Sequence, residues 1–136
     1  MPLVSRKGIL AIAAVIDVAI HAHGRPVSAK ALASRHKLPP RHLEPVLQAL
    51  VRDGILKGVR GPHGGYEIAR ERKRITAEDI LRAAGSAEEA GDPPVPASAL
   101  VNEVVRPALA EAERTFLAAL TRINVEDMAK QAQALK

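Results

Sequence analysis

The sequence contains no cysteine, no tryptophan and only two aromatic residues, Tyr66 and Phe116. Without cysteine the chain cannot form a disulfide, bind a metal through thiolates or use a thiol nucleophile. The scarcity of aromatic rings argues against binding of single-stranded nucleic acid, which uses such rings as platforms for base stacking. The hydrophobic fraction, 47%, is mostly Ala, Val, Leu and Ile, so it favours closely packed helices over a β-sandwich.

Apolar runs of membrane-spanning length are also missing from the sequence. Residues 6–22 resemble a signal peptide only faintly, because Asp17 interrupts the apolar run and no clean cleavage site follows. The same residues predict an amphipathic helix. We therefore expect a soluble cytoplasmic protein with no membrane partner, and a length of 136 residues fits one domain.

Charge is distributed unevenly along the chain, although the net charge of +5 is modest. Residues 25–74 hold twelve basic and four acidic residues, whereas residues 75–136 hold six basic and ten acidic residues. This distribution indicates a module that binds a polyanion, joined to a part with another task. From charge alone, a solvated surface of lysine and arginine explains the pattern equally well.

The first half of the chain predicts three helices. Apolar spacing gives one helix over Ser5 to His23, which Gly24 ends, and Ser28 is a suitable N-cap for a short second helix. The segment "LPP" interrupts the second helix, and Pro39 or Pro40 can open the third. Gly54 ends the third helix as a left-handed cap. The apolar face of the third helix comprises Leu43, Val46, Leu47, Leu50 and Val51.

Two short strands follow, "ILKGVR" and "YEIAR", joined by "GPHGG". We expect Gly64 and Gly65 to adopt positive φ angles in this hairpin. A helix with Thr76 as N-cap and Asp79 as its capping-box partner comes next. An acidic loop (85–97), a long helix (98–122) and a short final helix or fraying tail complete the chain.

This order of elements is that of a winged helix-turn-helix, a mainly α fold with a small β-hairpin. A helix fits the major groove of B-form DNA, and the helix before it braces it against the backbone. The hairpin then reaches the neighbouring minor groove, whose negative potential attracts Arg60 beside Gly61. For the hairpin alone, an ordinary turn with a solvated arginine is an equally good explanation.

The segments "VSAKALASRHKLPPRHLEPVLQALVRDGILKGVRGPHGGYEIAR" and "ITAEDILRA" resemble the Rrf2 family of bacterial transcription regulators, and the later "LTRINVEDM" resembles its C-terminal pattern. The resemblance is weakest in residues 85–97. It implies a homodimer that binds double-stranded DNA, more often as a repressor. It divides the chain into a DNA-binding domain (1–84), an acidic loop (85–97) and a dimerisation helix with its tail (98–136).

The resemblance also assigns roles to residues. Base readout is expected from the third helix, phosphate contact from the start of the second, and backbone or minor-groove contact from the hairpin. The expected DNA-binding residues are Ser28, Lys30, Arg41, His42, Glu44, Gln48, Arg60, Gly61, His63, Gly64 and Gly65. Tyr66 is expected to brace the hairpin, and a helix-end acid that interacts with the dipole is the alternative for Glu44.

An apolar stripe with nearly heptad spacing marks the long helix, in which Pro107 predicts a kink. Its members are Leu100, Val104, Ala108, Ala112, Phe116 and Leu120. Pairing with a second copy would bury the stripe and favour a palindromic DNA site. Packing within one chain is the alternative for part of it.

Many Rrf2 proteins hold an iron–sulfur cluster with three cysteines before the dimer helix, and this chain has none. His21 and His23 do not share a helical face, and Glu88, Glu89 and Asp92 are better explained as a solvated acidic loop. We therefore expect no cofactor and no metal. Another effector, a small molecule or a protein, is left unidentified by the sequence.

Two other classes of function remain for comparison. A protein-interaction adaptor could use the same fold and bind DNA only non-specifically, although the basic middle and the intact hairpin argue against it. An enzyme is not expected, because the sequence has no Ser/His/Asp constellation, no phosphate loop and no paired carboxylates in a plausible pocket.

Overall fold

The computed structural model describes residues 5–85 and 98–135. The elements in chain order are α1 (Arg6–His21), α2 (Ala29–His36), α3 (Pro40–Arg52), β1 (Leu56–Val59), β2 (Gly65–Ile68), a 3₁₀ turn (Arg72–Arg74), α4 (Ala77–Ala84), a π-helical segment (Val101–Val105), α5 (Arg106–Leu120) and α6 (Val125–Gln133). This confirms the predicted mainly α class with a small hairpin. The expected acidic loop falls almost wholly on 86–97, outside the described residues.

The predicted helix starts are confirmed by their capping hydrogen bonds. Ser28 Oγ accepts from the N–H of Ala31 at 3.0 Å. Thr76 Oγ1 accepts from the N–H of Asp79, and the Asp79 carboxylate accepts in return from the N–H of Thr76, both at 3.1 Å. Helix α1 ends at His21, slightly earlier than expected. Such caps satisfy backbone donors that the first helical turn leaves without a partner.

The core lies where the first four helices meet the root of the hairpin. The predicted apolar face of α3 is buried except for Val51, which is half-buried. The largest fully buried side chains are Leu32, Leu43, Leu47, Leu50, Ile55, Leu56, Ile75, Ile80, Val15, Val18, Val46 and Val125. Because one face of α3 is buried in this core, its opposite face is exposed to solvent.

A tight turn orients α3 relative to α2. Lys37 ends α2 in the left-handed conformation (φ 55°), and its N–H donates to the carbonyl of Ser34 at 3.3 Å. Pro39 is extended and Pro40 occupies the first helical position, where its missing N–H costs nothing. Helix, tight turn and helix therefore form the predicted helix-turn-helix.

Strands β1 and β2 pair antiparallel from Leu56 with Ile68 to Val59 with Gly65; we call residues 56–68 the wing. One part of the glycine prediction is wrong. Gly61 (φ 117°) and Gly65 (φ 159°) have positive φ, whereas Gly64 does not. Gly64 is required for another reason, since a Cβ there would collide with the Val59 carbonyl.

The wing is attached to the segment before α2. The N–H of Val27 donates to the Tyr66 carbonyl at 2.9 Å, and the N–H of Tyr66 donates to the Val27 carbonyl at 2.8 Å. Gly65 lies so close to this segment that a Cβ would meet the Val27 carbonyl and, at 2.8 Å, the nitrogen of Ser28. The pairing thus requires glycine at this position.

The long helix expected over 98–122 is helical from 99 to 120 but changes from α to π and back to α within that span. The π-helical segment lies directly before α5, and Pro107, expected to kink the helix, stands in the first turn of α5. Helix α6 is a formed helix rather than a fraying tail, because Asn124 caps it and Val125 and Ala129 are buried. Its start is joined to that of α4 by a hydrogen bond from Ala77 N–H to the Ile123 carbonyl at 2.8 Å.

We predict that Gly65→Ala lowers the free energy of unfolding by about 1–3 kcal/mol, because the new methyl group forces the wing away from Val27. Gly58→Ala is the matched control on the paired strand, where an added Cβ meets no atom within 4 Å. Urea denaturation of both variants checks the prediction, and equal midpoints for the two would contradict it.

Candidate nucleic-acid interface

The solvent-facing side of α3 carries the residues expected to contact bases. Arg41, His42, Glu44 and Gln48 are all exposed, and Leu43 and Leu47 between them are fully buried. This separation follows from helical periodicity, since apolar positions three and four apart fill one face only. The structure therefore brings the four predicted residues to one surface of one helix, with polar groups of both charge signs.

The start of α2 offers a different kind of contact. Lys30 is exposed, whereas Ser28 is half-buried with its oxygen engaged in capping α2. The Ser28 hydroxyl keeps its proton for donation, because an oxygen that accepts a capping bond can still donate. A cation and a hydroxyl donor at a helix N-terminus suit a phosphate group.

At the tip of the wing, Arg60, Gly61 and His63 are exposed, while Gly64 and Gly65 are half-buried. The tip therefore presents one permanent cation and one imidazole beside a backbone with little side-chain bulk. A loop of this shape can approach a narrow groove closely. The two half-buried glycines offer little surface for contact, and their main effect is on the backbone shape of the wing.

Tyr66 of β2 lies on the side of the wing that faces α3, where it lines a cleft with Gln48 and Val51. Burial raises the pKa of Tyr66, and the negative charge of Glu44 raises it further. The phenol therefore stays protonated at neutral pH, and it packs against the core as expected of a brace.

A groove of about 800 Å³ separates the wing tip from the end of α1 and the start of α2. We define the basic groove by six of its lining residues: His21, Arg25, Ser28, Arg35, His63 and Gly64. Sequence reasoning missed Arg25 and Arg35, although both belong to the basic middle of the chain. Within the described part of the chain, no acidic residue lines this groove.

Beneath the groove, Asp17 of α1 is the only buried charged residue within 5–85 and 98–135. Its carboxylate accepts from Arg35 Nε at 2.8 Å and from Arg35 Nη2 at 2.6 Å, and it contacts His36 Nε2 at 3.1 Å. The hydrogen bond to Asp17 raises the pKa of Arg35 above its ordinary value. At the sequence level Asp17 was only an interruption in an apolar run, because its partners are far away along the chain.

The predicted stripe of the long helix is divided by the structure. Leu100 and Val104 are 64% and 59% exposed, and Ala108 and Ala112 are exposed as well. Phe116 is half-buried and Leu120 is buried, so this end packs within the chain. Leu109, which is 62% exposed, and Val105 extend the apolar surface and were missed, since each lies one residue after a member of the predicted stripe.

Metal binding finds no support in the side-chain arrangement. Across 5–85 and 98–135, no group of three His, Cys, Asp or Glu residues is placed to hold a metal ion. The acids Glu88, Glu89 and Asp92 lie outside the described residues. Over the same two ranges, no helix is long and apolar enough to cross a membrane.

Comparison with known proteins points to transcriptional regulators. The Rrf2 family, described as iron-dependent transcriptional regulators, matches residues 4–131. The regulator IscR of Xenorhabdus nematophila is 32% identical over 84 residues, which cover 62% of this chain and 51% of IscR. Protein rrf2 of Nitratidesulfovibrio vulgaris is 32% identical over 69 residues, 51% of this chain and 46% of that protein. The matches thus span about half the length of these curated relatives.

Solved structures agree with the sequence matches. IscR of T. potens has a TM-score of 0.75 and 30% identity over 99% of this chain and 93% of that chain. CymR, the global cysteine regulator of B. subtilis, has a TM-score of 0.70 and 25% identity over 96% of this chain and 98% of that chain. These relatives and neighbours are regulators, not enzymes, which confirms the expectation that the chain is not an enzyme.

The family description names iron, and this chain has no thiolate with which to hold it as a cluster. A thiolate-held cluster needs cysteine, and the sequence has none. The match over residues 4–131 and the shared winged helix-turn-helix fold carry the assignment. This chain belongs to the Rrf2 family of DNA-binding transcriptional regulators.

Proposed function

We propose that the protein acts as a homodimer that binds a palindromic DNA site sequence-specifically and represses transcription there. The observation that carries the proposal is the shared exposure of the polar face of α3 and the wing tip, next to the basic groove. Helix α3 enters the major groove, where Arg41 pairs with guanine, Glu44 accepts from cytosine and Gln48 pairs with adenine.

The wing supplies the second contact. With α3 in the major groove, the tip reaches the adjacent minor groove, and Arg60 inserts where the potential is most negative. Ser28 and Lys30 hold a phosphate at the start of α2, which sets the register of α3 without reading sequence. His63 and the glycine backbone follow the sugar-phosphate edge.

Homodimerisation is supported by the exposed apolar surface of the long helix. Leu100, Val104 and Leu109 would cost free energy if left in water, at about 25 cal/mol per Å². A second copy offers the same surface, so a two-fold axis buries both at once. Two α3 helices related by that axis then read two half-sites of a palindrome. A dimer on such a site excludes other proteins from a promoter, which supports repression.

The competing candidate is an adaptor that binds DNA only non-specifically. It would keep the steep salt dependence of phosphate contacts but would not distinguish one sequence from another. The exposed, mixed-charge surface of α3 favours specific binding, because acidic Glu44 weakens a purely electrostatic interaction with phosphates.

We predict that Arg60→Ala weakens binding to a DNA fragment selected by the wild-type protein by about 1–3 kcal/mol, because a cation leaves the minor groove. Fluorescence anisotropy at constant salt measures the change. Lys57→Ala is the matched control: it removes one positive charge from the same hairpin, at a site paired with Glu67 at 3.8 Å. An Arg60→Ala affinity within about twofold of wild type, with the fold intact, would show that the wing does not contact DNA.

We predict that Leu109→Glu shifts the protein from dimer to monomer, because two carboxylates would have to be buried in the interface. Sedimentation equilibrium measures the shift, and circular dichroism should show an intact helical fold, since Leu109 is exposed within one chain. Arg114→Glu, which places the same side chain elsewhere on the exposed surface of α5, should remain dimeric. A dimer in both variants, or a monomeric wild type, would refute this interface.

A further inference from the structure

The basic groove collects basic side chains from four separate segments of the chain. His21 comes from the end of α1, Arg25 from the loop after it, Arg35 from α2 and His63 from the wing tip. None of the groove-lining residues in the described part of the chain is acidic. The two arginines among them, Arg25 and Arg35, are permanent cations and favour an anionic occupant.

Arg35 is held in place by an ion pair with Asp17. Asp17 engages Nε and Nη2 of its guanidinium in a two-point contact, and the Asp17 side chain is only 6% exposed. The Arg35 side chain is 37% exposed. Its Nη1 protons and the second proton of Nη2 are not used by Asp17, so they stay available to another acceptor.

The identity of the occupant follows from the geometry of duplex DNA and rests on the proposed DNA contacts. One sugar-phosphate strand separates each major groove from the adjacent minor groove. A protein with α3 in the major groove and the wing in the minor groove must therefore straddle that strand. The basic groove lies between the wing tip and the segment from the end of α1 to α2, so it offers a basic path for that strand beside the wing.

We infer that the basic groove holds consecutive phosphates of one DNA strand, that Arg35 and Arg25 contact them, and that Asp17 is a positioning residue for Arg35. The two-point contact from Asp17 fixes the plane of the guanidinium, so Arg35 presents its remaining donors without further loss of side-chain freedom. Asp17 thus links the packing of α1 against α2 to the strength of DNA binding.

The test uses labelled duplex DNA of mixed sequence and the full chain, with the affinity measured over a series of salt concentrations. Arg35→Gln and Arg25→Gln should each lower the slope of log affinity against log salt by about 0.9, the value for one lost phosphate contact. Lys130→Gln, which removes one positive charge from an exposed position on α6, should leave the slope unchanged. Unchanged slopes for both arginine variants, with the fold intact, overturn the inference.

The positioning role is tested by two further variants. Asp17→Asn makes the protein more positive, so charge alone predicts tighter binding, whereas loss of positioning predicts weaker binding. Since Asp17 is buried and its variant can unfold, Arg35→Lys provides a second test: it keeps the charge, loses the two-point contact and should weaken affinity about tenfold. Wild-type affinity in a folded Arg35→Lys, or tighter binding by a folded Asp17→Asn, overturns the positioning role.

Two outcomes separate this inference from the proposed function. If Arg60→Ala weakens binding and the arginine variants of the groove do not, the groove assignment fails while the DNA-binding proposal stands. If the wild type binds DNA without salt dependence, the proposed function itself fails. Inorganic phosphate at constant ionic strength is a further arm: displacement of DNA by millimolar phosphate would identify a site for a small anion instead of a strand.

Discussion

The position of the wing depends on one short backbone pairing. Val27 and Tyr66 exchange two hydrogen bonds, at 2.9 and 2.8 Å, and thereby join the segment before α2 to the second strand of the hairpin. Gly65 allows this approach because any side chain there would collide with the Val27 carbonyl. The capped start of α2 at Ser28 follows immediately, so one local constraint sets the distance between wing tip and helix-turn-helix. The width of the basic groove, and with it the place for a DNA strand, follows from this distance.

Polar and apolar side chains are exposed on different helices, and this difference relates the packing to the proposed function. Helix α3 buries its aliphatic face in the core and exposes polar side chains suited to base edges. The long helix does the reverse at its N-terminal end, where Leu100 and Leu109 stay exposed within one chain. The basic middle of the chain and the exposed apolar helix therefore have separate tasks, DNA contact and self-association, which is the division that we propose.

Features set by neighbouring residues were predictable from the sequence. The cap at Ser28 and the capping box of Thr76 with Asp79 depend on residues three positions apart, and the structure confirms them.

Features set by residues far apart in the sequence were not predictable. The pairing of Asp17 with Arg35 joins residues 18 positions apart, and neither has a sequence signature. The same limit explains the missed basic groove, which comes together only when the wing folds back onto the start of α2. Gly61 took the positive φ expected at Gly64, because the shape of the turn depends on how the two strands pair and not on composition. The sites of DNA contact and dimerisation remain predictions.

Recognition of a DNA sequence by this cysteine-free chain alone is central to the proposed function. The most direct test is selection of genomic DNA fragments by the purified protein, without added metal or reductant, followed by sequencing of the bound fraction. We expect enrichment of one palindromic motif with two half-sites about one helical turn apart. Recovery of sequence-indifferent DNA that is released by moderate salt would contradict it.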